Sequence, residues 1–220
     1  MKRLFSYLYP FRLKNYSSKI NGSLEINLVD GKKVLDTSIS NFSYGSLQKI
    51  LQTGLKKIDF NKNTKQLLLL GLGGGCVIET IREKFKSDAI IVAVEIDPKI
   101  ITIANDDFNI KRFENIQIIQ ADAADYIKTC TKSFDIIIVD IFIGNEVPKP
   151  FTEDNFLRGV PTLLNDEGKI MFNVMRETML IERYQNIQDE FKKAGLIIRV
   201  FERVDGTNDL IIAEKTKSIK

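Results

Sequence analysis

The 220-residue chain contains no histidine and no tryptophan, and has only two cysteines and five prolines. Without histidine there is no Ser-His-Asp or Cys-His catalysis, and the commonest zinc ligand is missing. Any general base must be a carboxylate, a tyrosine, a lysine or water. Cys76 and Cys130 have neither metal-ligand spacing nor a CxxC pairing, so no disulfide framework and no metal is expected, and a reducing cytoplasm suits the chain. No apolar run approaches the roughly 20 residues of a membrane helix. The start, Met1-Lys2-Arg3-Leu4-Phe5, has the charge of a secretory leader, but Ser6, Arg12, Lys14 and Asn15 break any apolar run after it and no small-residue cleavage site appears. Against 32 basic residues stand 29 acidic ones, and a net charge of +3 is too small to argue for nucleic acid or a membrane as partner.

The chain is 44% hydrophobic, ordinary for a packed globular core. Its organising stretch runs from Gln66 to Asp97. The apolar run QLLLL breaks into Gly71-Leu72-Gly73-Gly74-Gly75-Cys76, a helical segment comes next, and AIIVAVEIDP closes a βαβ unit. Glycines there let the backbone turn sharply and approach a ligand, and Glu95 ending the second strand can accept both hydroxyls of a ribose. Cys76 occupies the place of the third glycine of G-x-G-x-x-G, which argues against NAD. The glycines also have a plainer reading as a tight strand-to-helix turn, against which Glu95 weighs.

Alternating residues Ser23 to Val29, the turn signal Asp30-Gly31 and Lys32 to Ser38 predict a β-hairpin with a type I′ turn. A lone hairpin is marginal in water, so it should pack on the main domain or on a second subunit. Leu47, Ile50, Leu51 and Leu55 predict a helix over Tyr44 to Lys57, and a polar linker then ends an N-terminal element of residues 1–60. Residues 61–220 read as one α/β domain. Strands are expected at 66–70, 90–95, 116–120, 134–140, 169–174, 196–203 and 210–214, the last two antiparallel, giving a doubly wound, mostly parallel seven-stranded sheet. Pro98 opens a helix through Phe108, Pro161 kinks or interrupts a helical stretch from Glu153 to Leu164, and a helix runs from Glu177 to Ala194.

Ligands of open α/β sheets bind outside the carboxyl ends of the strands. Four such ends bring Gly71 to Gly75, Glu95, Asp122 and Asp140 to one crevice. Asp122 with the backbone of Ala123 could meet an adenine, and Asp140 could bind or deprotonate an attacking amine. Each carboxylate has an alternative reading as a helix cap or turn residue, and Tyr44 alone reads as packing filler.

Asn41-Phe-Ser-Tyr44, Leu67 to Gly75, Val94-Glu-Ile-Asp97, Asp122, Phe134 to Asp140 and Phe151-Thr-Glu153 fall in one order. In that order the chain resembles the spermidine synthases, or polyamine aminopropyltransferases, of the Rossmann-like S-adenosylmethionine-dependent methyltransferase superfamily. The resemblance implies the methyltransferase fold and a nucleoside-bearing co-substrate, S-adenosylmethionine or its decarboxylated form. It implies that Gly71, Gly73, Gly74 and Gly75 cradle it, Glu95 beside Ile96 holds the ribose, and Asp122 with Ala123 meets the adenine. It gives Asp140 the place of the catalytic aspartate and Tyr44 that of a tyrosine in the polyamine pocket. It further implies a homodimer or tetramer joined through the N-terminal β element.

The departures point elsewhere on the acceptor side. Gly74 replaces an aspartate that attracts the decarboxylated donor and repels a carboxylate, and Ile143 replaces a second aspartate three residues beyond Asp140. An ammonium left unpaired there costs on the order of 2–5 kcal/mol. Gly45 stands in place of a glutamine or histidine, and Gly144-Asn-Glu-Val-Pro148 in place of a glycine-proline loop. The expected function is therefore transfer from S-adenosylmethionine, foremost of methyl, to a small-molecule acceptor such as an amine. The alternatives are an aminopropyltransferase with an acidic pocket rebuilt from Glu146, Glu153 or Asp125, and a non-catalytic nucleoside-binding protein.

Overall fold

The computed structural model describes residues 5–37 and 41–216. Met1 to Leu4, and Ser38 where the expected hairpin ends, lie outside them. The buried runs of the main sheet alternate between two faces, as strand geometry requires. Leu67, Leu69, Ile91, Ala93, Ile136 and Ile138 bury one face, whereas Leu68, Leu70, Val92, Val94, Ile137 and Val139 bury the other. A sheet apolar on both sides must be covered on both sides. Helices do this, making a three-layer sandwich.

The chain begins with strands β1 (Phe11–Ser18), β2 (Gly22–Val29), β3 (Lys32–Thr37) and β4 (Asn41–Ser43), joined in sequence order into one antiparallel sheet. The expected hairpin is its centre. Asp30 and Gly31 both take positive φ, 48° and 73°, as a type I′ turn demands. The flanking β1 and β4 are not legible in the pattern of residues, because Phe11–Ser18 is mostly exposed and lacks a clean period of two.

Helix α1 (Gly45–Lys57) leads to β5 (Gln66–Leu70), α2 (Cys76–Glu79), β6 (Ile90–Glu95), α3 (Pro98–Asp106), β7 (Ile116–Gln120), α4 (Ala123–Thr129) and β8 (Phe134–Val139). Then come α5 (Asp154–Thr162), β9 (Leu164–Met175), α6 (Ile181–Lys193), β10 (Leu196–Val204) and β11 (Asn208–Lys215). The order across the second sheet is β10-β11-β9-β8-β5-β6-β7, with β11 antiparallel to both neighbours. Strand order reverses beside β5, which places a crevice at its carboxyl end.

Local departures from expectation have physical causes. After α2 the helix widens into a π turn over Thr80–Lys84, and Arg82 draws the chain round by donating to the carbonyls of Ser87 and Ala89 at 2.7 and 2.8 Å. Pro161 sits in the last turn of α5, which ends at Thr162. Asp166-Glu167-Gly168 is an irregularity inside the 12-residue β9, where pairing with β8 jumps from Phe134↔Leu164 to Ile136↔Lys169. Helix α6 starts at Ile181, four residues later than expected.

The N-terminal sheet and α1 do not stand apart from the main sheet. Leu24, Ile26, Leu35, Ile50, Leu51 and Leu55 share one apolar cluster with Leu67, Ile91 and Ile212. Each such fully buried side chain contributes about 1.5–3 kcal/mol. Buried Asp107 adds polar attachment, accepting from Lys14 at 2.5 Å and from Tyr16 at 2.7 Å.

Candidate active site

Six strand ends form a row along the carboxyl edge of the main sheet. From one side they present Asp122 after β7, Glu95 at the end of β6, Gly71 after β5, Asp140 after β8, Met175 ending β9 and Asn208 opening β11. All six line one cavity of about 520 Å³, within the range typical of small-molecule sites, roughly 300–1,000 Å³. The β1–β2 turn closes it with Ile20 and Asn21, α1 with Ser46, Leu47 and Ile50, and the loop after β8 with Ile141 to Asn145. Glu95, Asp122 and Asp140 are its charged residues, and no lysine or arginine stands among the described lining residues.

The backbone explains why glycine opens the crevice. Gly71 has φ +94°, and a Cβ on it would lie 2.1 Å from the carbonyl oxygen of Asp140. Any side chain there would separate the ends of β5 and β8. Gly73 also lines the cavity, but Gly74 and Gly75 do not. Gly74 faces Ser43 and Tyr44, and Gly75 at φ +83° faces Ile110.

Glu95 is buried, and burial pushes its pKa up against the pull of the backbone amides that it accepts. Those amides are Leu72 at 3.1 Å and Asp97 at 2.9 Å, so Glu95 also pins the glycine loop. A carboxylate offers about four acceptor positions, which leaves capacity for ligand hydroxyls. Ile96 beside it is 45% exposed on the cavity wall, an apolar face against which a base could stack. Asp122 caps α4, its Oδ1 accepting from Ala124 at 2.7 Å and Asp125 at 3.3 Å. Its capping role and its place in the cavity with Ala123 therefore coincide.

Asp140 sits where the two halves of the row meet. Burial raises its pKa to about 6, and the hydrogen bond from Asn173 opposes that rise. Asn173 Nδ2 donates to Asp140 Oδ1 at 2.8 Å, Asn208 Nδ2 to Asn173 Oδ1 at 2.9 Å, and Thr207 Oγ1 to Asn208 Oδ1 at 2.7 Å. This string of amides fixes one carboxylate oxygen from beneath the cavity.

Tyr44 does not line the cavity. It is buried, its ring stacks on Phe108 at 4.6 Å, and its hydroxyl donates to Gly74 O at 3.3 Å. Its φ of +70° with ψ −164° is a region that essentially belongs to glycine, costing of order 1–3 kcal/mol. The expectation of a pocket tyrosine is corrected accordingly: Tyr44 anchors the entry to α1, which carries Ser46, Leu47 and Ile50 to the cavity. Glu146, Glu153 and Asp125 lie outside the lining as well, the last paired with Lys128 at 2.9 Å.

Sequence reasoning missed Ile20, Asn21, Met175, Asn173 and Asn208. The turn signal Asn21-Gly22 could have found the first two. Asn173, an amide inside the apolar run of β9, was a legible anomaly, since a buried amide must find partners.

Residues 61–216 match the methyltransferase domain family. The polyamine aminopropyltransferase of Chromobacterium violaceum is 33% identical over 133 residues, 58% of this chain and 51% of that protein. The human eEF1A lysine and N-terminal methyltransferase is 31% identical over 121 residues, 50% of this chain and 17% of that protein. The chain thus spans about half the length, or less, of these relatives. Spermidine synthase from Thermotoga maritima superposes with a TM-score of 0.69 over 94% of this chain and 74% of that one at 16% identity. Human methyltransferase-like protein 13 in complex with SAH gives 0.58 over 80% and 82% at 23% identity. The chain belongs to the methyltransferase domain family and shares its fold with the spermidine synthases.

Proposed function

We propose that the protein is an S-adenosylmethionine-dependent methyltransferase whose acceptor enters the cavity beside Asp140. The observation that carries this reading is the row of carboxylates: two for a nucleoside, Glu95 and Asp122, then one, Asp140, at the boundary with an otherwise uncharged pocket. Gly71, Gly73, Ile96 and Ala123 complete the donor half. The donor supplies an alkyl group already activated by a sulfonium. The residues therefore need mainly to align the acceptor, and Asp140 takes its proton.

A second reading, aminopropyl transfer to a polyamine, is favoured by the identity to the aminopropyltransferases. It is disfavoured by the absence of Glu146, Glu153 and Asp125 from the cavity. Calorimetric titration with S-adenosylmethionine, its decarboxylated form and methylthioadenosine separates the two. Tighter binding of the carboxylate-bearing donor is expected; preference for the decarboxylated donor would restore polyamine synthesis, and binding of none of the three would sink the nucleoside site. In this reading the protein is a cytoplasmic homodimer, with exposed Phe5, Tyr7, Leu8 and Tyr9 beside the N-terminal sheet as the contact. Sedimentation velocity giving a monomer at micromolar concentration would refute the dimer.

A further inference from the structure

The strand order divides the cavity. The donor half lies over β5, β6 and β7, and the remainder lies over β8, β9 and β11 beneath α1 and the loop after β8. Leu47, Ile50, Phe142, Ile143, Phe151 and Met175 make that second half a mostly apolar sleeve with Ser46 and Asn145 as neutral polar side chains, and Asp140 is its one charged group among the described residues. The polar side chains at its floor are engaged elsewhere, since Thr207 donates to Asn208 and Asn208 to Asn173.

We propose that the acceptor is a monoamine, carrying a single positive charge at the tip of an uncharged apolar stem. The proposal rests on the transferase reading above and names its substrate class. An acidic acceptor would meet three carboxylates and no cation among the described lining residues. A neutral alcohol would leave the Asp140 carboxylate buried without a counter-charge. A diamine or polyamine would bring a second ammonium against Ile143, Phe142 and Phe151, where no carboxylate stands among the described lining residues to balance its charge and the polar groups are the neutral side chains of Ser46 and Asn145. One ammonium against Asp140 and a stem along the sleeve leaves no charge unbalanced.

The chemistry balances. The ammonium gives a proton to the Asp140 carboxylate, breaking N–H and forming O–H. The freed nitrogen lone pair forms the new N–C bond to the donor methyl as the C–S bond breaks. Its electron pair stays on sulfur, which becomes a neutral thioether. The product is a methylated ammonium, and Asp140 returns its proton to water.

The stem could be that of a free alkylamine or of a peptidyl lysine, and the experiment has an arm for each. n-Hexylamine, 1,6-diaminohexane and a blocked Gly-Lys-Gly peptide are titrated calorimetrically into the protein, with and without S-adenosylhomocysteine. Hexylamine or the peptide should bind at least tenfold more tightly than the diamine of equal length. The substitution Ile143→Asp, at a half-exposed position that the fold can spare, should erase or reverse that preference. Equal or tighter binding of the diamine to the unaltered protein overturns the proposal. So does failure of both single-charge probes to bind, or a preference that Ile143→Asp leaves unchanged. Failure of S-adenosylhomocysteine to bind would instead bring down the transferase reading, while the amine comparison made without it still reads the sleeve.

Discussion

Asp140 carries opposite consequences for activity and for stability. Its folded-state pKa of about 6 lies above the ordinary carboxylate value, 3.8, so the folded chain holds this proton more tightly than the unfolded chain. The stability it contributes is present below the unfolded value and is lost as pH rises through about 6. As the proposed base, Asp140 must be ionised, so turnover should fall as pH drops below about 6. Asp140→Asn should cut turnover roughly 10²–10⁴-fold yet raise the melting temperature at pH 7.5. Thermal scans and rates on one preparation check both, and a variant that melts lower would refute the burial argument. Asn173→Leu removes the donor that opposes the rise. The acid limb of the pH–rate profile should move to higher pH, with a stability loss of about 1–3 kcal/mol for the orphaned partners. An unmoved acid limb would show that Asn173 is only packing.

At the scale of elements, the glycine loop is a joint between β5 and α2 whose freedom is specific to position. Gly75→Ala would place a Cβ 2.5 Å from Ile110 Cγ1 in a left-handed conformation. It should destabilise by more than about 1 kcal/mol, with Ile110→Ala recovering the clash but not the conformational part. Denaturant melts of the two single variants and the double variant measure this. Full recovery in the double variant would refute a backbone cost. These elements were largely legible: β5, β6 and β8 are dominated by Leu, Ile and Val between punctuating residues, β7 reads Ile-Gln-Ile-Ile-Gln, and Pro98 and Asp97 mark the start of α3 by proline position and cap. The N-terminus of α6 and the irregularity in β9 were not. Each depends on a partner distant in sequence, as when Thr178 donates to the carbonyl of Asn145 at 2.6 Å and holds the segment before α6 out of helix.

For the whole molecule, the sequence displayed the doubly wound sheet and the three carboxylates among the cavity's described lining residues, because strand ends can be read from punctuation. It did not display what covers them. That Ile20 and Asn21 reach the donor half depends on how the N-terminal sheet docks, and Tyr44, named for a pocket, instead supports a strained turn beneath it.

That docking ties Glu95, the residue proposed above to hold the nucleoside, to the N-terminal sheet. Ser18 and Asn21 both donate to Asp97, Asn21 at 2.7 Å, and the amide of Asp97 donates to Glu95. A ligand gripping Glu95 is thereby coupled to whether β1 and β2 stay seated. By thermodynamic linkage, saturation at 100 times the dissociation constant holds the seated state by about 2.7 kcal/mol if the unseated state cannot bind. Amide hydrogen exchange in Phe11–Ser18 and Gly22–Val29 should slow roughly a hundredfold on saturation with S-adenosylhomocysteine, while β10, remote from the cavity, stays unchanged. Equal slowing everywhere would mean that the ligand stabilises the fold as a whole. A local response would make β1 and β2, and not the fold as a whole, the part of the chain that ligand binding holds in place.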